Sequence, residues 1–132
     1  YCITFDDYFE TEEYIIKKVP ETDKSSNYVI RLNSKDIKLP LIIRTKKTGD
    51  KMEVKNLGTK KIKDILINEK IDIEKRSSQP ILTDSKNNIL WIPGIKKSKF
   101  DVGKNEICDI ILLCERKDDK WKMQKKVLFL RI

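Results

Sequence analysis

The sequence predicts an α+β domain, in which a mostly antiparallel sheet carries one or two short helices inserted near its middle. Two observations predict this class. Short apolar segments of strand length recur along most of the chain and are separated by turn-forming residues. The apolar spacing changes to a helical period only between residues 59 and 78. The length of 132 residues suits one domain with a sizeable core.

The beginning of the chain predicts two short strands and a linker. Apolar residues alternate over residues 1–5, and residues 14–16 form a second short apolar segment. The segment 20–27 is polar and is typical of a loop. We therefore predict that residues 1–26 are a leading strand and linker region, continuing from a preceding part of a longer protein. Residues 27–132 are predicted to form the main domain.

The next segments predict a run of strands and one tight turn. Residues 28–32 and 39–45 are short and largely apolar, as strands usually are. A turn is predicted at residues 48–50, because Gly49 accepts a positive φ that other residues resist. Residues 51–55 then favour another short strand.

The middle of the chain predicts two short helices. Helical spacing begins near Thr59, since Ile62, Ile65 and Leu66 would share one face of a helix. Thr59 is a favourable N-cap residue, so we predict that the first helix begins there. A second short helix is predicted over residues 73–78.

The second half of the chain predicts four more strands. Residues 80–83 and 89–92 are two apolar segments joined by a polar loop. Residues 106–115 and 121–131 predict a final hairpin. Trp91 lies between apolar neighbours, and we expect it in the core.

The composition excludes several classes of function. The chain has no histidine, which is the commonest general base and a frequent zinc ligand. It also has no glycine-rich phosphate loop. We therefore expect no catalytic site and no metal site in this chain. No apolar run approaches the roughly 20 residues that a membrane helix needs, so no membrane partner is expected.

The cysteines predict the cellular compartment. Cys2, Cys108 and Cys114 are odd in number and not closely paired, which favours a reducing environment and a cytoplasmic protein. Cys108 and Cys114 share the alternation of Ile110 and Leu112. This parity predicts that both cysteines lie in the core.

The net charge of +8 indicates a polyanionic partner. Three basic clusters carry much of it: Arg44, Lys46, Lys47 and Lys51 around the predicted turn; Lys60, Lys61 and Lys63 at the predicted helix start; and Lys96, Lys97 and Lys99 after Pro93-Gly94. Any single cluster is most simply a solvated surface of a lysine-rich protein. Together they favour phosphate binding, because lysines in the first turn of a helix are unfavourable without an anion. An A-form RNA helix, which is recognised mainly through its backbone and shape, suits such lysines.

Two acidic residues beside these clusters are predicted to have structural roles. Asp50 is placed to accept hydrogen bonds from the turn around Gly49. Asp64 is placed to form an ion pair with Lys60 or Lys61 on the predicted helix.

An ordered set of motifs resembles a known family. The motifs are Arg44-x-Lys46-Lys47-x-Gly49-Asp50, Gly58-x-Lys60-Lys61-x-Lys63-Asp64, the residues Lys70, Arg76 and Pro80, and Trp91-Ile92-Pro93-Gly94. They resemble the C-terminal domain of tRNA(Ile)-lysidine synthetase over residues 39–99. The chain departs from many relatives at Gln79, where they have an aromatic residue, and at Lys46, where they have arginine. A lysine binds phosphate as a point charge and lacks the two-pronged fork of arginine.

The resemblance implies an ATP-dependent bacterial ligase that converts the wobble cytidine of tRNA(Ile) to lysidine. It implies that ATP, with magnesium, and lysine are substrates of the full-length enzyme, and that an N-terminal domain outside this chain performs catalysis. The partners implied are tRNA(Ile), that catalytic domain and, in a homodimer of the full-length protein, a second copy of the enzyme. The C-terminal domain is implied to bind the acceptor stem. The resemblance assigns tRNA contacts to Arg44, Lys46, Lys47, Lys60, Lys61, Lys63 and Arg76, and the charge clusters add Lys51, Lys96 and Lys97.

Two alternatives stay open at this point. In the first, the domain packs against the catalytic domain or a second subunit, and its lysines are only solvated. In the second, it is a general basic RNA-binding module. A separate small enzyme is disfavoured by the absence of histidine and of a nucleotide-binding loop.

Overall fold

The computed structural model describes residues 1–117, which form short β-strands and two short α-helices. In chain order the elements are β1 (Cys2–Thr4), β2 (Tyr8–Glu10), β3 (Tyr14–Lys18), β4 (Val29–Leu32), β5 (Ile42–Arg44), β6 (Lys51–Val54), β7 (Gly58–Lys61), α1 (Ile62–Asn68), α2 (Ile73–Arg76), β8 (Ile81–Thr83), β9 (Ile89–Ile92), β10 (Lys96–Lys97) and β11 (Ile110–Arg116). The predicted last strand, 121–131, lies outside the described residues. Within residues 1–117, neither helix is long and apolar enough to cross a membrane.

Two antiparallel sheets enclose the main core. The five-stranded sheet has the order β1-β5-β8-β9-β10, and the four-stranded sheet has the order β2-β3-β11-β4. Ile16 and Leu112 of the four-stranded sheet belong to one buried cluster with Ile43 and Trp91 of the five-stranded sheet. Trp91 is fully buried, and its indole Nε1 donates a hydrogen bond to the backbone oxygen of Asn27 at 2.8 Å. The prediction that this tryptophan lies in the core is confirmed.

A second core covers the other face of the five-stranded sheet. It contains side chains of β6, α1, β8 and β9, namely Met52, Val54, Ile62, Ile65, Leu66, Ile81, Ile89 and Ile92, together with Ile95. The middle strands β8 and β9 are therefore buried on both faces. This burial explains why they are continuously apolar in sequence rather than alternating.

The architecture confirms the antiparallel character and the position of the helices, which lie between β7 and β8. The expectation of one main sheet was too simple, because the strands divide among the two large sheets and a separate β6–β7 hairpin. The segment before residue 27 contributes strands to both large sheets. β1 pairs with β5, while β2 and β3 join the four-stranded sheet.

The prediction that the first helix begins at Thr59 is wrong. Residues 58–61 form β7, which pairs with β6 in the register Glu53↔Thr59 and Met52↔Lys60. The helix begins at Ile62, after an extended Lys61 with φ −71° and ψ 136° that provides no side-chain cap. Pairing with β6 outweighs the local N-cap preference, because Met52 anchors that strand in the second core.

The cysteine predictions are confirmed only in part. Cys114 lies in β11 and is buried, and that burial raises the pKa of its thiol to about 12. Cys108 is only half-buried, so its placement in the core is wrong. The strand begins later than predicted, at Ile110, and the alternation of buried side chains therefore does not extend back to Cys108.

Candidate nucleic-acid interface

Two exposed lysines lie at the open end of the β6–β7 hairpin. Lys51 and Lys61 are directly opposite each other in the antiparallel register, and both are exposed. Two like charges in opposite positions of a ribbon destabilise it. The fold therefore places two positive charges together at a local electrostatic cost.

Four more lysines are close to this pair along the chain, and one of them, Lys60, is paired with Met52 and therefore projects from the other face of the ribbon. We call the set the hairpin surface: Lys46, Lys47, Lys51, Lys60, Lys61 and Lys63. The turn before β6 and the start of α1 are joined by a hydrogen bond from the backbone N–H of Ile62 to the backbone oxygen of Asp50, at 3.0 Å. Among residues 1–117, none of the six lysines forms an ion pair with a carboxylate.

Arg44 does not belong to this surface, contrary to the sequence prediction. It is buried, with 2% exposure, and its guanidinium forms two hydrogen bonds with the Asp50 carboxylate, at 2.8 and 3.1 Å. Its Nη2 also donates to Oδ1 of Asn87 at 2.9 Å. Arg44 therefore positions the basic turn from beneath and is not available to a phosphate.

Asp50 closes the turn that carries Lys47. Its carboxylate accepts a hydrogen bond from the backbone N–H of Lys47 at 2.7 Å, in addition to the bonds from Arg44. Burial alone raises the pKa of Asp50, but the hydrogen bonds and the positive charge of Arg44 outweigh burial, so the pKa is lowered overall. The predicted structural role of Asp50 is confirmed, and Gly49 has the expected positive φ of 87°.

The proposed phosphate site at a helix start is not formed. Lys60 and Lys61 lie on β7, and of the three lysines only Lys63 is in the first turn of α1. Asp64 is exposed in the same turn and forms no ion pair with either strand lysine, so that prediction is wrong. Lys60 and Lys61 are therefore carried by a β-ribbon and not by the first turn of a helix with its free N–H groups.

The hairpin is fixed to the body through β6. Val54 forms an isolated bridge with Ser98, and the backbone N–H of Lys99 donates to the backbone oxygen of Glu53 at 2.8 Å. Near the hairpin tip, the ammonium of Lys55 lies 3.5 Å from the carboxylate of Asp101. β7 therefore forms the outer edge of the ribbon, with all of its residues exposed.

The third basic cluster is largely neutralised within the fold. Lys96 pairs with Glu69 at 3.5 Å, Lys97 with Asp101 at 3.3 Å, and Lys99 with Glu53 at 2.8 Å. The carboxylate of Asp101 also accepts a hydrogen bond from the backbone N–H of Arg31 at 3.0 Å. Glu69 and Glu53 lie far from these lysines in sequence, whereas Asp101 is only four residues after Lys97.

Arg76 is the last residue of α2 and belongs neither to the β-ribbon nor to the turn before it. Its Nε donates a hydrogen bond to the backbone oxygen of Ile71 at 2.8 Å and holds the connection between the two helices. One residue that sequence reasoning missed is Leu57, which is 58% exposed at the hairpin tip. The sequence signal for this turn is Asn56, because asparagine tolerates a positive φ, and in the structure its φ is 65°.

Comparisons with known proteins agree with this architecture. Residues 41–111 match the family model described as the TilS substrate C-terminal domain. The tRNA(Ile)-lysidine synthase of Bacillus subtilis is 39% identical over 105 residues, which are 79% of this chain and 22% of that protein. The tRNA(Ile)-lysidine synthase of Bacillus licheniformis is 44% identical over 98 residues, covering 71% of this chain and 20% of that protein.

Two further similarities extend the comparison. A bifunctional protein TilS/HprT of Listeria innocua is 48% identical over 71 residues, which are 53% of this chain and 11% of that protein. A solved structure titled "Crystal structure of TILS C-terminal domain" superposes with a TM-score of 0.71 at 33% identity, covering 80% of this chain and 86% of that one. The chain spans about a fifth of the length of the two Bacillus relatives. The family match and the shared architecture together show that the chain belongs to the TilS substrate C-terminal domain family.

Proposed function

We propose that this chain is the tRNA-binding domain of a tRNA(Ile)-lysidine synthase and that it binds the acceptor stem of tRNA(Ile) through the hairpin surface. The observation that carries the proposal is the exposed pair Lys51 and Lys61 in directly opposed positions. A β-ribbon with lysines on its outer face suits the phosphates of an A-form helix, because such helices are recognised by backbone and shape.

We also propose the activity of the whole enzyme, and the names of its relatives support it. The full-length protein uses ATP, with magnesium, and lysine to convert the wobble cytidine to lysidine in the cytoplasm. The relatives named as tRNA(Ile)-lysidine synthases support this activity, and their greater length leaves room for a catalytic domain before this chain. In that arrangement the present domain supplies binding energy at the acceptor stem and no reacting group.

A role for the lysines only in preventing the edge strand β7 from pairing with another chain explains fewer of their positions. Charged residues on an exposed edge strand also discourage pairing with another chain, and Lys60 and Lys61 on β7 would suffice for that purpose. Lys47 in the preceding turn and Lys63 on α1 lie outside the edge strand. Among residues 1–117, exposed apolar side chains such as Ile73 and Ile107 would suit a role in packing against a catalytic domain or a second copy.

The experiment is a gel-shift titration of the chain with tRNA(Ile) at several salt concentrations. The variant replaces Lys51, Lys60 and Lys61 with glutamine. The matched control replaces Lys35, Lys86 and Lys104, three exposed lysines outside the hairpin surface. For a duplex, each lost phosphate contact reduces the slope of log affinity against log salt by about one, so the hairpin variant should lose up to about three.

The control variant should retain most of the original slope. Equal slopes for both triple variants would refute the hairpin surface as the tRNA contact. An RNA minihelix that carries only the acceptor stem should bind nearly as well as the whole tRNA. If only the anticodon arm competed for binding, the acceptor-stem assignment would be wrong.

In the full-length enzyme, the hairpin variant should raise KM for tRNA and leave kcat nearly unchanged. This pattern is expected because the lost contacts are made equally in the ground state and in the transition state. A fall in kcat at saturating tRNA would show that the domain also positions the wobble base.

A further inference from the structure

A cleft of about 510 Å³ lies beyond the C-terminal end of α1, away from the β-ribbon at its N-terminal end. Its volume falls within the range of small-ligand sites. Six of its lining residues matter here: Tyr1, Tyr14, Tyr28, Lys70, Gln79 and Arg116. Three aromatic rings, two cations and an amide therefore face one space.

Several polar groups that line this cleft have no partner within residues 1–117. The hydroxyl groups of Tyr1, Tyr14 and Tyr28 form no hydrogen bond with residues 1–117, and neither Lys70 nor Arg116 forms an ion pair there. Gln79 is 6% exposed, yet its amide makes only a 3.3 Å hydrogen bond to the carbonyl of the adjacent Pro80. Within the described residues, the amide oxygen of Gln79 is not among the fully buried unpartnered polar atoms, so it can accept a hydrogen bond from water or from a ligand in the cleft.

The backbone is adapted to this cleft at two points. Gly94 has a φ of 77°, and a Cβ there would lie 2.9 Å from Cε1 of Tyr28, so glycine lets the tyrosine ring lie against the cleft floor. Lys70 ends α1 with a φ of 57°, a left-handed conformation in which glycine is the usual residue. A lysine in this strained conformation indicates that its charge has a function.

The acidic lining of the cleft indicates more than a phosphate. Glu69 is paired with Lys96 at 3.5 Å, and Glu13 lies 3.9 Å from Lys75. Asp72 and Glu12 also line the cleft, together with the cations Lys70 and Arg116. A site for phosphate alone would exclude carboxylates, whereas ribose hydroxyls and amino groups of a base can donate hydrogen bonds to them.

We propose that this cleft binds an unpaired nucleotide of the bound RNA, with its base against the tyrosine rings and its phosphate near Lys70 and Arg116. Stacking on aromatic side chains together with basic residues is the general chemistry of single-strand recognition. α1 has seven residues and is therefore about 10 Å long, so one RNA can reach both the hairpin surface and the cleft. The inference rests on the proposed function, because the cleft is assigned to an RNA already held by the hairpin surface.

The test compares two RNA hairpins with the same stem, one blunt and one with a short single-stranded 3′ extension. Their affinities for the 132-residue chain are measured by fluorescence anisotropy at constant salt. The cleft variant combines Lys70→Gly with Arg116→Gln, and the matched control combines Lys35→Gln with Lys104→Gln. The glycine suits the left-handed conformation at position 70, so the cleft variant should remain folded.

We expect the extension to increase affinity roughly tenfold, which is within the range for stacking one base on an aromatic residue. The cleft variant should lose this increase and still bind the blunt RNA, and the control should keep it. Equal affinity for the two RNAs would overturn the inference and leave the cleft to a protein segment, without affecting the hairpin surface. An equal loss for both RNAs in the cleft variant would also overturn it, by showing a general phosphate contact. If neither RNA bound the unmodified chain, the proposed function would fail together with the inference.

Discussion

Replacing Lys61 with glutamate should make the free protein more stable and its tRNA complex weaker. Lys61 is directly opposite Lys51 in the β6–β7 hairpin, so the glutamate would turn a repulsive pair into an attractive one. The same change removes a cation from the hairpin surface and adds an anion facing the RNA. The two effects have opposite signs, and a residue with only a structural role would not show both.

The magnitudes follow from the position of the pair. Opposed side chains on a ribbon contribute roughly 0.2–1 kcal/mol, and reversing the sign of one partner should stabilise the free domain by about 0.5–1 kcal/mol. For a domain of this size that gain corresponds to a rise in Tm of about 2–4 °C. The slope of log affinity against log salt should fall by about one, as for the loss of one phosphate contact.

The assay has two parts and one control. Thermal unfolding of the free chain is followed by circular dichroism at low salt, where exposed charges are least screened. Binding to tRNA(Ile) is then titrated at several salt concentrations. Lys104→Glu makes the same change in net charge at an exposed site outside the ribbon, and its Tm should stay almost unchanged.

Two results would refute the reasoning. If Lys61→Glu lowered the Tm, the two lysines would not repel each other as the register implies. If it raised the Tm and left tRNA affinity and its salt dependence unchanged, the hairpin lysines would serve only to keep the edge strand unpaired. Either result would remove the main observation behind the proposed function.

Three further predictions concern the supports of the two sites. Asp50→Asn should destabilise the domain by about 3 kcal/mol in urea unfolding, because it leaves the buried guanidinium of Arg44 without its anion. The pKa of Asp50 is lowered in the folded state, so its contribution to the free energy of unfolding is complete above the unfolded pKa of about 3.9 and is lost as pH falls below that value. Below that pH, the free energy of unfolding of the variant should therefore change less with pH than that of the unmodified chain. The same pH dependence in both proteins would contradict this assignment. Gly94→Ala should cost at least about 1–2 kcal/mol in thermal unfolding, because of the positive φ and the contact with the Tyr28 ring, and a neutral result would show that the ring moves freely. Lys70→Gly should stabilise the chain by about 0.5–1 kcal/mol by relieving the left-handed conformation, whereas a loss of stability would mean that the lysine side chain holds the end of α1.

Local patterns in the sequence were sufficient for much of the fold. The helical spacing of Ile62, Ile65 and Leu66 correctly identified the buried face of α1, and all three are in the second core. The start of that helix was missed because Thr59 favours an N-cap locally, whereas its actual partner is Glu53 on the neighbouring strand. Strand pairing of this kind depends on burial elsewhere, which a window of sequence does not contain.

The sequence predicted that the candidate site is basic, but it did not show which basic residues are exposed in it. The hairpin lysines were identified because they are numerous and close together in sequence. Arg44 belongs to the same motif, yet it is buried against Asp50 and reaches Asn87, which is 43 residues away. Lys97 is similarly held by Asp101. Availability to a ligand depends on such partners, and for Arg44 the decisive burial becomes visible only in the folded chain.

The double burial of β8 and β9 has a consequence for how the domain responds to a ligand. Leu82 contributes to the core shared with the four-stranded sheet, and the adjacent Ile81 contributes to the core beneath α1 and the hairpin. Neither core can open without exposing one side of the same strands, so the two layers should unfold cooperatively. Binding energy gained at the hairpin would therefore slow hydrogen exchange in the four-stranded sheet on the opposite side of the molecule.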